Sequence, residues 1–199
     1  MQILCLDLEG VLIPEIWVGV AEQTGIKALG KTTRDIPDYD ELMHHRLEIM
    51  AQNDVDLVTI QSVIGRLAPL PGALDFLNWA RQRYQVAIIS DTFYEFASPL
   101  MAQLGWPMLL CHRLRIHDGR IVGYRLRQED PKRHSVEAFQ GLGYQVLAAG
   151  DSYNDIPMLQ AAQQGFLFCA PEKVQRAYPQ FPLALDYEDL KSLLSTSEE

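Results

Sequence analysis

Apolar residues along this chain follow two rhythms. Short unbroken runs occur at Ile3-Leu4-Cys5-Leu6, Val86-Ala87-Ile88-Ile89, Met108-Leu109-Leu110-Cys111, Val146-Leu147-Ala148-Ala149 and Gly165-Phe166-Leu167-Phe168. They are too brief for helices and are bounded by polar or turn residues, which predicts buried strands. Elsewhere apolar positions recur at helical spacing: Ile16, Val20 and Ile26; Leu42, Arg46, Leu47 and Met50; Ile60, Val63 and Ile64 behind a capping Asp56. Ala73 to Arg83 offers Leu74, Leu77 and Trp79 to a core, and further helices are predicted near Glu95 to Leu104 and around Met158 to Ala162. Asp130 is placed to cap, and Pro131 to open, a helix through Val136 and Phe139, and Asp186 to cap a terminal one through Leu190, Leu193 and Leu194. Asp118-Gly119, between Leu114-Arg115-Ile116-His117 and Arg120-Ile121-Val122-Gly123-Tyr124, predicts a β-hairpin. Strands alternating with helices define an α/β fold on a parallel sheet. Residues 15–71 carry few strand signals and close on Pro69-Leu70-Pro71-Gly72, so they read as a small helical insertion, with 1–14 and 72–199 forming the core domain. Ser195 to Glu199 reads as a frayed tail.

Composition narrows the function classes. With 199 residues, 48% of them hydrophobic, the chain suits one globular core with an insertion. The formal net charge of -9 argues against nucleic acid or an anionic membrane as partner, so any bound phosphate needs local cations. No apolar run reaches a membrane-spanning length and no signal-peptide pattern opens the chain, which predicts a cytoplasmic protein. Cys5, Cys111 and Cys169, widely spaced among apolar neighbours, read as buried free thiols. His44, His45, His112, His117 and His134 form no metal-ligand spacing with them and read as surface or satisfied side chains.

Candidate chemistry gathers where strands end. Asp7 and Glu9 follow the first strand, Ser90-Asp91-Thr92 the second, and Gly150-Asp151-Ser152-Tyr153-Asn154-Asp155 a later one, with Gly150 expected to supply the turn. The carboxyl edge of a parallel sheet is its ligand edge. Acids this close repel unless a cation shares the site, and hard oxygen ligands suit Mg²⁺. Asp155 alone would also fit as a helix cap. A carboxylate such as Asp7 can attack a phosphoryl group and form an aspartyl phosphate, with Glu9 as general acid and then base. Ser90 would donate to a phosphoryl oxygen. Lys132 falls in the first turn of a helix, where the macrodipole disfavours a cation, so its position there calls for an anionic partner.

Taken together, Asp7-Leu8-Glu9-Gly10-Val11, Ser90, Lys132 and Gly150-Asp151-Ser152-Tyr153-Asn154-Asp155 resemble the four motifs of the haloacid dehalogenase-like phosphohydrolases in order and spacing. The resemblance implies a Rossmann-like core, Mg²⁺ held by Asp7, Asp151 and the backbone carbonyl of Glu9, and Asp155 supporting that shell from behind. The helical insertion is similar to the cap of the phosphoserine phosphatase subfamily. There a glutamate and an arginine hold the substrate's ammonium and carboxylate, and Glu15 and Arg46 stand in those places. Asp91 and Asn154 would also touch substrate. Glu9 in place of a second aspartate, and Ser90-Asp91-Thr92-Phe93 in place of a serine followed by glycines, resemble a narrower group, the bifunctional phosphoserine phosphatase/homoserine phosphotransferase proteins. The expected substrate is a small phosphorylated amino acid, with a homodimer expected by analogy only.

Rival readings meet contrary signals. Gly25-Ile26-Lys27-Ala28-Leu29-Gly30-Lys31-Thr32 satisfies the P-loop pattern, yet no strand precedes it, Gly25 fits a helix C-cap, and Pro37 follows soon after. A receiver-like phosphoacceptor domain also joins aspartate, hydroxyl and lysine around Mg²⁺, but its acids precede the nucleophile. A silent phosphometabolite binder would not need every catalytic position filled. A phosphatase for another small phosphomonoester stays open.

Overall fold

The computed structural model describes residues 1–32, 35–36 and 38–196, so Pro37 and the end of the tail, residues 197–199, lie outside the described residues. The strands are β1 (Gln2–Leu6), β2 (Gln85–Phe93), β3 (Met108–His117), β4 (Arg120–Arg125), β5 (Gln145–Gly150), β6 (Gln164–Phe168) and β7 (Leu183–Ala184). They form one sheet in the order β4-β3-β2-β1-β5-β6-β7, parallel except for the β3–β4 hairpin. Strand β1 therefore lies between β2 and β5, where the winding of the chain changes direction. In such sheets a crevice opens at that point, beyond the carboxyl ends of the strands.

Both faces of the sheet are covered, which is why its strands read as continuous apolar runs. On one face Leu4, Leu6, Ile88 and Leu147 pack against α4 (Ala73–Arg81), α5 (Tyr94–Gln103) and α9 (Tyr187–Ser195) through Phe76, Phe96, Leu100 and Leu190. On the other, Ile3, Cys5, Ala87 and Val146 meet α6 (Pro131–Gly141), α7 (Ile156–Ala161) and α8 (Glu172–Ala177) through Val136, Phe139, Met158 and Val174. The stretch after β1 is helical: α1 (Ile16–Thr24), a 3-10 turn at Lys27–Gly30, α2 (Tyr39–Gln52) and α3 (Leu57–Ile64). Val20, Met43, Ile60 and Ile64 from these helices join the first core cluster. No helix among the described residues is long and apolar enough to cross a membrane.

Several local expectations hold for the stated reasons. Asp56 and Asp186 accept the N–H groups of Thr59 and Asp189 as N-caps, Pro131 opens α6, and the hairpin turns at Asp118 (φ 49°) and Gly119 (φ 75°). Gly25 ends α1 in the left-handed region, so a helix rather than a strand leads into it, which removes the P-loop reading. Others are corrected. Ile26 lies beyond the end of α1, and Leu74 is exposed because Ala73, Phe76, Leu77 and Ala80 form the inward stripe of α4. Asp130 does not cap α6: its backbone is left-handed and its carboxylate accepts from Arg133 Nε. The two apolar runs assigned as separate strands around Arg113 are one strand, β3, and α8 and β7 were too short to show a period. Helix α9 extends through Ser195, which the tail reading had excluded. Cys169 is exposed, whereas Cys5 and Cys111 are buried.

The C-terminal helix reaches the loop that follows β1. Tyr187 stacks between Phe76 and Phe168, at 5.1 and 4.8 Å, and its hydroxyl donates to Val11 O at 2.7 Å. Tyr187→Phe keeps the stack and removes the donor, so it should cost roughly 1 kcal/mol. Urea denaturation with an unchanged m-value checks this, and a wild-type midpoint would show the bond to be worth nothing.

Candidate active site

Three acidic side chains converge beyond the ends of β1 and β5. Asp7 directly follows β1, and its N–H donates to Ala149 O at 3.0 Å, locking it beside the end of β5. One carboxylate oxygen from each of Asp7, Asp151 and Asp155 lies within 4.8 Å of the others, an all-oxygen group able to hold a metal ion. Glycine makes the approach possible. Gly10 has φ +79°, and a Cβ on it would stand 2.6 Å from the Asp151 carboxylate. Gly150 was expected to supply a turn, but it is the last residue of β5, and its role is space: a Cβ there would lie 2.4 Å from Asp155 Cβ and Cγ.

Asp155 does not cap α7, where its side chain makes no cap hydrogen bond; it closes the 3-10 turn Tyr153–Asp155 instead. Its Oδ2 accepts the N–H groups of Asp151 and Ser152 at 2.9 and 3.0 Å, forming a capping box with Ser152. Its Oδ1 accepts from Lys132 Nζ at 2.6 Å. Lys132, buried in the first turn of α6, also donates to Asp7 Oδ1 at 3.0 Å and lies 3.7 Å from Asp91 Oδ2. These are the anions that its unfavourable place in the helix required. Burial works against the charged ammonium, but Asp155, Asp7 and Asp91 outweigh it and hold the Lys132 pKa well above its ordinary value. Asp7 is pushed upward by burial and by Asp155 and Asp151, with Lys132 opposing. One ammonium thus faces several acids, the electrostatic setting in which a further cation is favoured.

Above these groups lies a cavity of about 100 Å³ lined by Asp7, Glu9, Glu15, Arg46, Ser90, Asp91, Asp151 and Asn154, among others. Lys132 lies behind Asp7 and bonds both Asp7 and Asp155. Ser90 falls in an irregular stretch at the end of β2, and its Oγ accepts Thr92 N–H at 3.2 Å, leaving the hydroxyl proton available to donate. Glu9 Oε2 accepts Ile16 N–H at 2.9 Å, in the first turn of α1. Burial and the charge of Glu15 push the Glu9 carboxyl up to about 7, against the Ile16 hydrogen bond, Arg46 and Lys132. Glu15 is exposed at the start of α1.

Arg46 is buried, with its guanidinium 4.4 Å over the Trp17 ring and its Nη2 donating to Lys31 O at 2.8 Å. Its Nε is buried without a hydrogen-bond partner, and burial lowers its pKa to about 10. A desolvated guanidinium with an unused donor at a cavity wall is suited to a carboxylate.

Thr92, beside Ser90 and Asp91, lines this cavity as well; so do Trp17 and Tyr39, which no motif marks, and His112 is buried behind Asp91. Trp17 could have been found from its helical spacing to Val20; nothing local marks Tyr39 or His112.

The chain matches the haloacid dehalogenase-like hydrolase family over residues 1–163, and it belongs to that family. It is 62% identical over 192 residues to "Phosphoserine phosphatase ThrH" of Pseudomonas aeruginosa, covering 96% of this chain and 94% of that one. It is 57% identical to a phosphoserine phosphatase of Pseudomonas syringae pv. tomato, covering 96% and 81%. Among solved structures, a phosphoserine phosphatase in apo form superposes with a TM-score of 0.79 over 98% of each chain at 21% identity, a likeness of fold.

Gly150→Ala puts a methyl group into the carboxylate of Asp155, whose oxygens already hold Lys132 and two backbone N–H groups. Overpacking of this kind costs roughly 1–3 kcal/mol. The expected outcome is a lower thermal midpoint together with lost phosphatase activity; a variant with wild-type stability and rate would contradict the close approach.

Proposed function

We propose that this chain is a Mg²⁺-dependent phosphoserine phosphatase that works through an aspartyl phosphate on Asp7, and that homoserine competes with water for the phosphoryl group. The observation that carries this reading is one cavity lined by Asp7, Ser90 and Asp151 together with Glu15 and Arg46. The names borne by the two Pseudomonas relatives support the same substrate. Residues 15–71 would form the substrate-selecting cap, with Glu15 taking the ammonium and the unpaired Arg46 donor the carboxylate of phosphoserine.

In the first half-reaction a carboxylate oxygen of Asp7 attacks phosphorus, the bond from phosphorus to the serine oxygen breaks, and Glu9 gives that oxygen a proton. Ser90 and Lys132 hold phosphoryl oxygens while charge shifts toward the leaving group. A carboxyl at about 7 populates both protonation states near neutrality, as an acid that must next act as a base requires. In the second half-reaction Glu9 takes a proton from the acceptor hydroxyl, whose oxygen attacks phosphorus and frees Asp7. The carboxylates of Asp7 and Asp151 and the Glu9 carbonyl would hold Mg²⁺, which when bound would supply charge neutralisation for the phosphoryl oxygens. Both oxygens of Asp155 are already engaged, which suits support from behind rather than direct ligation.

Once serine leaves, the same amino-acid site faces the phosphorylated Asp7. Homoserine is one methylene longer, a difference that a pocket rejects by only about 1–3 kcal/mol. An oriented hydroxyl can reach effective molarities of roughly 10⁵ M or more, enough for a weakly held acceptor to rival water.

Arg46→Ala should lower kcat/KM for phosphoserine roughly 10- to 100-fold, the value of a hydrogen bond to a charged group. It should leave phosphoethanolamine, which lacks the carboxylate, little changed; equal losses on both esters would make Arg46 a packing residue only. Phosphorus NMR of enzyme, Mg²⁺ and phosphoserine should show inorganic phosphate appearing, with Asp7→Asn silent. Added homoserine should divert signal to phosphohomoserine. If only inorganic phosphate forms at saturating homoserine, the transfer half is wrong and hydrolysis stands.

A further inference from the structure

His112 lies on β3, outside the catalytic motifs, yet it is buried directly behind the site, with 2% of its surface exposed. Its Nδ1 accepts the N–H of Arg127 at 3.1 Å, which leaves the ring proton on Nε2. That Nε2–H faces Asp91 Oδ1 at 3.5 Å. Aromatic rings fix the imidazole plane: Phe93 and Tyr39 each pack with ring centroids 6.3 Å away.

Asp91 is therefore gripped from several sides. Its Oδ2 accepts from Asn154 Nδ2 at 2.8 Å and lies 3.7 Å from Lys132 Nζ, while its backbone carbonyl accepts from the Tyr39 hydroxyl at 3.0 Å. Asp91 also stands between the small catalytic cavity and a larger, mainly apolar groove of about 960 Å³, lining both. A carboxylate with a rotatable side chain at such a junction could turn toward either space. His112 occupies the one oxygen that Asn154 and Lys132 do not.

We propose that His112 is a positioning residue that acts through Asp91: its Nε2–H orients the Asp91 carboxylate so that Oδ2 holds Asn154 and Lys132 in their places at the phosphoryl site. The inference rests on the reading of the cavity as a phosphomonoesterase site. Asp91 Oδ2 adds a third acid at 3.7 Å to an ammonium already bonded to Asp7 and Asp155, so loss of the relay should slow the chemical step more than it weakens substrate binding.

A double-mutant cycle with Asp91→Asn and His112→Leu tests this, read on phosphoserine and on p-nitrophenyl phosphate. Each single variant should lower kcat roughly tenfold, about one hydrogen bond to a charged group, with KM within about twofold. The double variant should lose no more than Asp91→Asn alone, since the histidine has no other route to the site. His112→Gln, whose amide can donate from near the Nε2 position, should recover most of the rate. Independently of activity, ¹⁵N NMR of the wild type should show His112 with its proton on Nε2. Multiplying losses in the double variant, a His112→Leu enzyme with wild-type kcat, or a proton found on Nδ1 would overturn the proposal. Should His112→Leu not fold, Asp91→Asn, at a side chain 26% exposed, and the wild-type NMR measurement still decide it. A wild type active on the aryl ester but not on phosphoserine overturns the substrate reading alone, and one silent on both overturns the two together.

Discussion

The buried ammonium of Lys132 is what allows this sheet edge to exist. Asp7 and Asp155 are both buried, and an ionised carboxylate without a partner in such a place costs several kcal/mol. Nζ reaches both, at 3.0 and 2.6 Å, and so fastens the end of β1 to the segment after β5 from beneath. A cation in the first turn of α6 opposes the helix dipole by roughly 0.3–1 kcal/mol. Two short charge-assisted contacts outweigh that, so the lysine stays where helix preference alone would not put it. Pro131 opens the helix beside it without losing a needed N–H, and that fixes where the lysine emerges.

Everything else at the site is arranged by how tightly the backbones approach. Gly10 and Gly150 admit the carboxylates of Asp151 and Asp155 to distances no side chain would tolerate. The result is a floor of charges that cannot relax apart, under a wall of helices that brings Glu15 and Arg46 within one cavity of them. The floor lies at the ends of β1 and β5, neighbours within the sheet. The wall is joined to it through the core cluster shared by Leu6, Val20 and Ile60 and through polar ties such as Gln61 Nε2 to Glu95 O.

This division explains what could be read from the chain. Asp7 and Ser90 were legible because each directly follows an apolar run, and Asp151 because only Gly150 parts it from one; where such a run ends is a local property. Lys132 was legible because a cation beside Pro131 at a helix start is a local anomaly. Arg46 stood out as a charge on an apolar stripe. The partners of His112 and Tyr39 lie far along the chain, and only the sheet order brings them together, so no window of sequence reports them. The misread cap at Asp130 has the same origin: an aspartate before Pro131 satisfies every local rule, but Arg133 takes its carboxylate. Leu74 failed for a subtler reason. The stripe of α4 runs through Phe76, Leu77 and Ala80, and that phase leaves Leu74 facing outward.

Glu9 shows how the floor and the wall become one device. Its carboxylate accepts the N–H of Ile16, at the positive end of α1, which favours the ionised form; Glu15, beside Ile16 in the same turn, favours the protonated one. The two opposing influences come from adjacent residues of one helix end, and with burial they leave the carboxyl at about 7. An aspartate at this position, one methylene shorter, would have to draw α1 inward or surrender the contact with Ile16. The longer side chain therefore does more than extend reach toward an acceptor. It ties the proton affinity of the group beside Asp7 to the placement of the helix that carries Glu15, so that the residue proposed to recognise the substrate's ammonium also tunes the residue proposed to move the proton.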